Sequence, residues 1–144
     1  MNEERKPKTW TSEAFEVRPS NIPEAKLGLF AKTRILPGDT IGYYTGRVIT
    51  EEEMETTRYA DSSYILWVTK NHIIVGNGPQ ANYTRYINHS SRPNAFLVVS
   101  TRWKTARFEA ILKISADDEI YFDYGEYYWN TLDVQPSEPP ARND

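Results

Sequence analysis

The sequence predicts a mostly β domain. Three observations carry this: apolar and β-branched residues gather in short runs, Pro and Gly turns separate the runs, and one segment alone carries a helix-start signal. The length, 144 residues, suits one ordinary domain. A hydrophobic content of 39% against 26% charged residues is enough to build a core and keep it hydrated.

Taken in order, residues 1–10 alternate charge with Pro and read as a flexible N-terminal arm. Residues 131–144, with Pro136-Ser137-Glu138-Pro139-Pro140, read as a flexible tail, which leaves 11–130 as the folded domain. Leu27-Gly28-Leu29-Phe30-Ala31 is a strand-like run that ends toward a turn at Pro37-Gly38-Asp39. Thr40 to Ile49 is β-branched and aromatic and reads as a strand or a strand pair. Thr50 followed by Glu53 has capping-box spacing, and Glu51 and Glu52 favour the positive end of a helix dipole, so a short helix is expected over about 50–59. Tyr64-Ile65-Leu66-Trp67-Val68 and Ile73-Ile74-Val75 read as a strand pair around Lys70-Asn71-His72, and Asn77-Gly78-Pro79 as a turn. Ala95 to Ser100 and Arg107 to Ile114 follow, the second with Phe108, Ala110, Leu112 and Ile114 expected on one face. Asp117-Asp118 then turns the chain into Ile120-Tyr121-Phe122-Asp123-Tyr124.

Composition excludes several chemistries. No cysteine is present, so disulfides, thiolate zinc sites, iron–sulfur clusters and a cysteine nucleophile are out. Two histidines, His72 and His89, argue against a histidine-built metal site. The formal charge, 17 − 20 = −3, gives no basic excess for a phosphate backbone, and no nucleic-acid binding is expected. The polar start, Met1-Asn2-Glu3-Glu4-Arg5-Lys6, does not read as a signal peptide, and no apolar run approaches the roughly 20 residues of a membrane span. The expected setting is soluble, cytoplasmic or nuclear. Tyrosine is abundant: ten, against five Phe and four Trp.

Three segments interrupt the β pattern. Arg85-Tyr86-Ile87-Asn88-His89-Ser90-Ser91-Arg92-Pro93-Asn94 sets amides, hydroxyls and an imidazole directly between apolar residues. Phe122-Asp123-Tyr124-Gly125 places a carboxylate in an aromatic strand, and Ile41-Gly42-Tyr43-Tyr44-Thr45-Gly46 brackets tyrosines with glycine. Taken singly, these also read as a hydrogen-bonded turn, a strand end and close strand packing.

In order and spacing, however, the segments resemble the SET domain of protein-lysine methyltransferases. The likeness runs from Ser20 to Trp129. Ser20-Asn21-Ile22 through Leu27-Gly28-Leu29-Phe30-Ala31 is similar to the family's opening, and Tyr44-Thr45-Gly46 to its Tyr-x-Gly. Arg85-Tyr86-Ile87-Asn88-His89-Ser90 with Pro93-Asn94 resembles its Asn-His-Ser signature, and Asp118 to Gly125 its final Glu-x-x-x-x-Asp-Tyr-Gly.

The resemblance implies a SET-domain fold of short sheets and few short helices, with a C-terminal pseudoknot where the Asn-His and Asp-Tyr-Gly segments pass each other. It implies S-adenosyl-L-methionine as cofactor, S-adenosyl-L-homocysteine as product, and no metal. The cofactor would lie against Lys26, Leu27 and Gly28, beside Tyr64, Asn88 and His89, with Arg85 helping to position it and Tyr128 and Trp129 covering the adenine side. Tyr124 and Tyr44 match active-site tyrosines. Phe122 matches the residue that, with Tyr124, shapes the substrate-lysine pocket and controls how many methyl groups it admits; phenylalanine there implies di- or trimethylation. The substrate would be a lysine in a histone tail or another basic protein segment, and a homodimer is compatible with the family.

Three departures accompany the match. Lys26 stands where the family usually has Gly, and its ammonium is expected to pair with the methionine carboxylate. Ser91 replaces the usual Cys. With no cysteine in the sequence, a zinc-bound segment that completes the lysine channel is not expected. The alternative reading is a SET-fold peptide-binding module without transfer, which Lys26 favours; the presence of Asn88, His89, Tyr44 and Tyr124 favours the enzyme.

Overall fold

The structure, a computed structural model, describes residues 6–55, 65–76 and 78–123. A 3-10 turn at Ser12–Ala14 leads into β1 (Phe15–Pro19), which pairs antiparallel with β2 (Leu27–Ala31). Then come β3 (Thr40–Tyr43), β4 (Arg47–Ile49), the short helix α1 (Glu51–Met54), β5 (Ile65–Thr69) and β6 (His72–Val75). A second 3-10 turn, Tyr83–Tyr86, delivers the two-residue strand β7 (Asn88–His89). The hairpin of β8 (Ala95–Ser100) and β9 (Thr105–Ala110) follows, and β10 (Tyr121–Phe122) comes last. The strands form two antiparallel three-stranded sheets, β3-β9-β8 and β4-β6-β5, and two pairs, β1-β2 and β7-β10. The expected mostly β fold is the observed one. Among the described residues no helix is long and apolar enough to cross a membrane.

Local chemistry explains where elements begin and end. Gly38 carries φ +91° at the turn before β3, a conformation that costs glycine little. The capping box at α1 is complete: Thr50 Oγ1 accepts from Glu53 N, and Thr50 N donates to Glu53 Oε1, both at 3.3 Å. The remainder of the helix expected over 50–59 lies, from 56 on, outside the described residues. The run from Thr40 to Ile49 is two strands in two different sheets, because it breaks at Tyr44-Thr45-Gly46. There Gly46 passes so close to β6 that a side chain would meet the Val75 carbonyl, its carbon 2.6 Å away.

One expected face needs correction. Phe108 and Ala110 are buried on β9, but the strand ends at Ala110 and the chain bends. The two-residue alternation is lost there, so Leu112 is 55% exposed, while Ile114 regains the interior by bridging to Ile35. The arm-like composition of residues 1–10 likewise does not keep Lys8–Trp10 off the domain. Asp39, fully buried, accepts from Lys8 N (3.0 Å), Trp10 Nε1 (2.9 Å) and Leu36 N (3.2 Å), and Thr9 bridges Thr40 in parallel.

The main core gathers Phe15, Leu29, Ile41, Ile87, Phe108 and Ile120 from β1, β2, β3, the segment before β7, β9 and the segment before β10. Each such side chain stabilises the fold by roughly 1.5–3 kcal/mol on burial. Because Ile87 and Ile120 are anchored in this core, their neighbours Asn88 and Tyr121 are held side by side.

Candidate cofactor and lysine site

β7 and β10 run parallel, with Asn88 opposite Tyr121 and His89 opposite Phe122. The two segments expected to cross are therefore adjacent, and several bonds tie them together. Ser90 N donates to Phe122 O at 3.1 Å and Asn94 N to Tyr121 O at 3.2 Å. The Asn94 side chain behaves like an extra peptide unit: its Nδ2 donates to Glu119 O (2.9 Å) and its Oδ1 accepts from Tyr121 N (2.9 Å). This gives the Pro93-Asn94 end of the signature a physical task, which is to hold the last segment in place.

The same segment lies against β2. Ile120 N donates to Leu29 O at 2.8 Å, and Phe30 bridges Glu119. Asn88 Nδ2 donates to Leu27 O at 2.8 Å, so the start of β2, β7 and β10 converge at one place although they lie far apart in the sequence. Gly28 is buried here, and Leu27 and Lys26 are exposed beside it. Next to it sits the Glu119 carboxylate, 3% exposed and bonded by Ser20, Asn21, Asn88 and Tyr121. In the sequence Glu119 is no more than one letter of the final motif. Its partners lie up to 99 residues away, and no local signal marks them. Burial raises the Tyr121 phenol well above its ordinary value, and the adjoining Glu119 carboxylate raises it further, so this hydroxyl is a donor at neutral pH.

His89 is 6% exposed, with Nδ1 3.7 Å from Asp123 Oδ1. Arg85 turns its guanidinium over the Tyr86 ring, 4.8 Å from its centroid, and donates from Nη2 to the Tyr86 hydroxyl at 2.7 Å.

On the other side the site is aromatic. Phe108, 1% exposed, meets Phe122 edge-on at 4.9 Å between centroids and Tyr44 edge-on at 6.3 Å. Tyr44 and Phe122, both expected at the active site, thus pack on the shared ring of Phe108, which the sequence marks only as one residue of a strand face. Tyr44 N donates to Ala106 O at 2.8 Å, and its ring lies over Gly76, where a side chain would overlap it. A cleft of about 360 Å³ opens beside Tyr44, walled by Tyr43, Thr45, Gly46, Val48, His72, Ile74 and the β8–β9 turn at Lys104–Ala106. Tyr64, Tyr124, Tyr128 and Trp129 lie outside the described residues. Among those described, no group of three or more His, Asp or Glu side chains is arranged to hold a metal.

The convergence of these segments defines a class: the chain belongs to the SET-domain family, whose model matches residues 26–125. It is 34% identical over 108 residues to Histone-lysine N-methyltransferase NSD3 of Mus musculus, covering 67% of this chain and 7% of that protein. It is 33% identical over 108 residues to the Homo sapiens Histone-lysine N-methyltransferase, H3 lysine-36 specific, and 31% identical over 107 residues to Set2 of Drosophila melanogaster. Each of these two matches covers 67% of this chain and 4% of the relative. The chain therefore spans only a small part of the length of the relatives it matches.

Proposed function

We propose that this chain is an S-adenosyl-L-methionine-dependent protein-lysine N-methyltransferase acting on a lysine of a histone tail or another basic segment. The observation that carries the reading is the meeting of Leu27-Gly28, Asn88-His89 and Tyr121-Phe122 beside the Tyr44–Phe108–Phe122 aromatics. SET methyltransferases generally use S-adenosylmethionine. The donor set here suits its amino-acid end, which carries an ammonium and a carboxylate: Asn88 offers an amide oxygen and exposed Lys26 a cation. Leu27, Gly28, Arg85 and His89 would complete this face, with Tyr64, Tyr128 and Trp129 from outside the described residues.

The cofactor supplies a methyl group activated on a sulfonium. The residues must deliver a neutral amine, although free lysine titrates near ~10.4. Phe122, backed by the buried Phe108 ring, would offer an apolar wall that disfavours the ammonium form and lowers that pKa, so that the proton leaves to water. The hydroxyls of Tyr44 and, from outside the described residues, Tyr124 would orient the amine lone pair for transfer. A phenylalanine at 122 leaves room for a methylated amine, which supports di- or trimethylation.

The test is transfer from labelled S-adenosylmethionine to mixed histones and to cell extract, with Tyr124→Phe as control. We expect labelled protein with the native chain and loss of most transfer, with cofactor binding kept, in the variant. Cofactor binding without any transfer would favour a SET-fold binding module instead.

A further inference from the structure

We infer that Glu119 is the positioning residue of the cofactor face, and that Gly28 is a glycine to admit the Glu119 carboxylate rather than the cofactor. The link to the cofactor rests on the function proposed above; the contact itself does not.

The carboxylate is saturated. Oε2 accepts from Ser20 Oγ (2.7 Å) and Asn88 Nδ2 (3.2 Å), and Oε1 accepts from Asn21 N (2.7 Å) and the Tyr121 hydroxyl (2.8 Å). A carboxylate has about four lone-pair sites, so all are used and the group has one orientation. The donors come from the loop before β2, from β7 and from β10, so Glu119 locks three segments at once.

Asn88 is fixed in turn. Its Nδ2 faces three acceptors: Leu27 O, Glu119 Oε2 and Ser20 Oγ at 3.3 Å. Only the nitrogen end of the amide can face so many acceptors, which decides the flip on chemical grounds. The planar carboxamide then turns Oδ1 away from the cluster and leaves it as the acceptor on the face where the cofactor's ammonium is expected.

Gly28 completes the arrangement. A methyl group built there would overlap Glu119 Oε2, lie 2.8 Å from its carboxyl carbon and come within 3.3 Å of Asn88 Nδ2. The space a side chain would fill is thus already taken by the protein's own carboxylate. Gly28 is buried and its φ lies outside the left-handed region, so backbone freedom is not what demands glycine.

The experiment is a double-variant cycle on the full chain: Gly28→Ala, Glu119→Asp and the pair. S-adenosyl-L-homocysteine affinity is read by calorimetry, folding by thermal unfolding, and the Asn88 side-chain NH₂ pair by ¹⁵N-edited NMR. Gly28→Ala is expected to lower Tm and to weaken binding about tenfold or more, because its methyl displaces a buried carboxylate. Glu119→Asp shortens the side chain by one methylene, so the pair is expected to regain Tm and to bind at least about threefold tighter than Gly28→Ala alone. If Gly28→Ala does not fold, recovery of folding in the pair is the expected result. A pair that is no better than Gly28→Ala in both Tm and binding would overturn the inference. In the NMR experiment, Glu119→Asp must move the Asn88 NH₂ signals; an unmoved pair also overturns it, with or without ligand. A native chain that folds but binds no S-adenosyl-L-homocysteine would count against the proposed function. The Tm cycle and the NH₂ signals would then still decide whether Glu119 occupies the Gly28 space and orients Asn88.

Discussion

At the crossing of β7 and β10 the geometry rests on hydrogen bonds with direction; around Phe108 it rests on aromatic packing. The first region uses Glu119, Asn88, Asn94 and the ends of β2, each with named donors and acceptors at 2.7–3.3 Å. The second uses Tyr44 and Phe122, each of which meets the Phe108 ring edge-on. The difference teaches what each side tolerates. A buried polar cluster fails when one atom changes from donor to acceptor, since the partner is left facing a like group. An aromatic wall accepts a change of shape provided its volume is kept.

The sharpest way to break this contrast is Asn88→Asp. The exchange keeps size but sets a carboxylate against Leu27 O and Glu119 Oε2. It is expected to cost about 3–5 kcal/mol of stability, measured by denaturant unfolding. Phe108→Ala tests the aromatic side by removing volume and should cost about 3–5 kcal/mol through the cavity it leaves. Phe108→Leu should cost less than about 1.5 kcal/mol, which is the comparison that matters. If Phe108→Leu proved as damaging as Asn88→Asp, the two regions would not differ in kind.

A smaller effect is expected at Tyr121, where the hydrogen bond to Glu119 can be removed without disturbing volume. Tyr121→Phe should cost about 1–2 kcal/mol at neutral pH. The folded-state pKa of this phenol is raised above its ordinary value of 10.0, chiefly by burial. Its contribution is therefore fully present below about pH 10 and is lost as pH rises through the folded value. Alkaline unfolding followed by circular dichroism should be shallower in the variant than in the native chain.

The readable and unreadable parts of the sequence divide along the same line. Thr50 and Glu53 announce their capping box because the partners are three residues apart. The turn at Gly38 and the β5–β6 pair are legible for the same reason: local spacing and turn chemistry decide them. The string Asn88-His89-Ser90 with Pro93-Asn94 makes the family legible, yet it does not reveal that Asn94 bonds both sides of Glu119-Ile120-Tyr121. Glu119 itself escapes notice because Ser20 and Asn21 reach it across 99 and 98 residues. Leu112 misleads for a different reason, since alternation continues in the sequence after the strand has stopped pairing.

Methyl transfer to a lysine is read out by tandem mass spectrometry of histone-tail peptides incubated with the chain and S-adenosylmethionine. The expected product is a lysine side chain carrying two or three methyl groups, absent when Tyr124→Phe replaces the native chain. Product that stops at one methyl group on every substrate would contradict the role given to Phe122, and no methylated lysine above the Tyr124→Phe control would contradict the account as a whole.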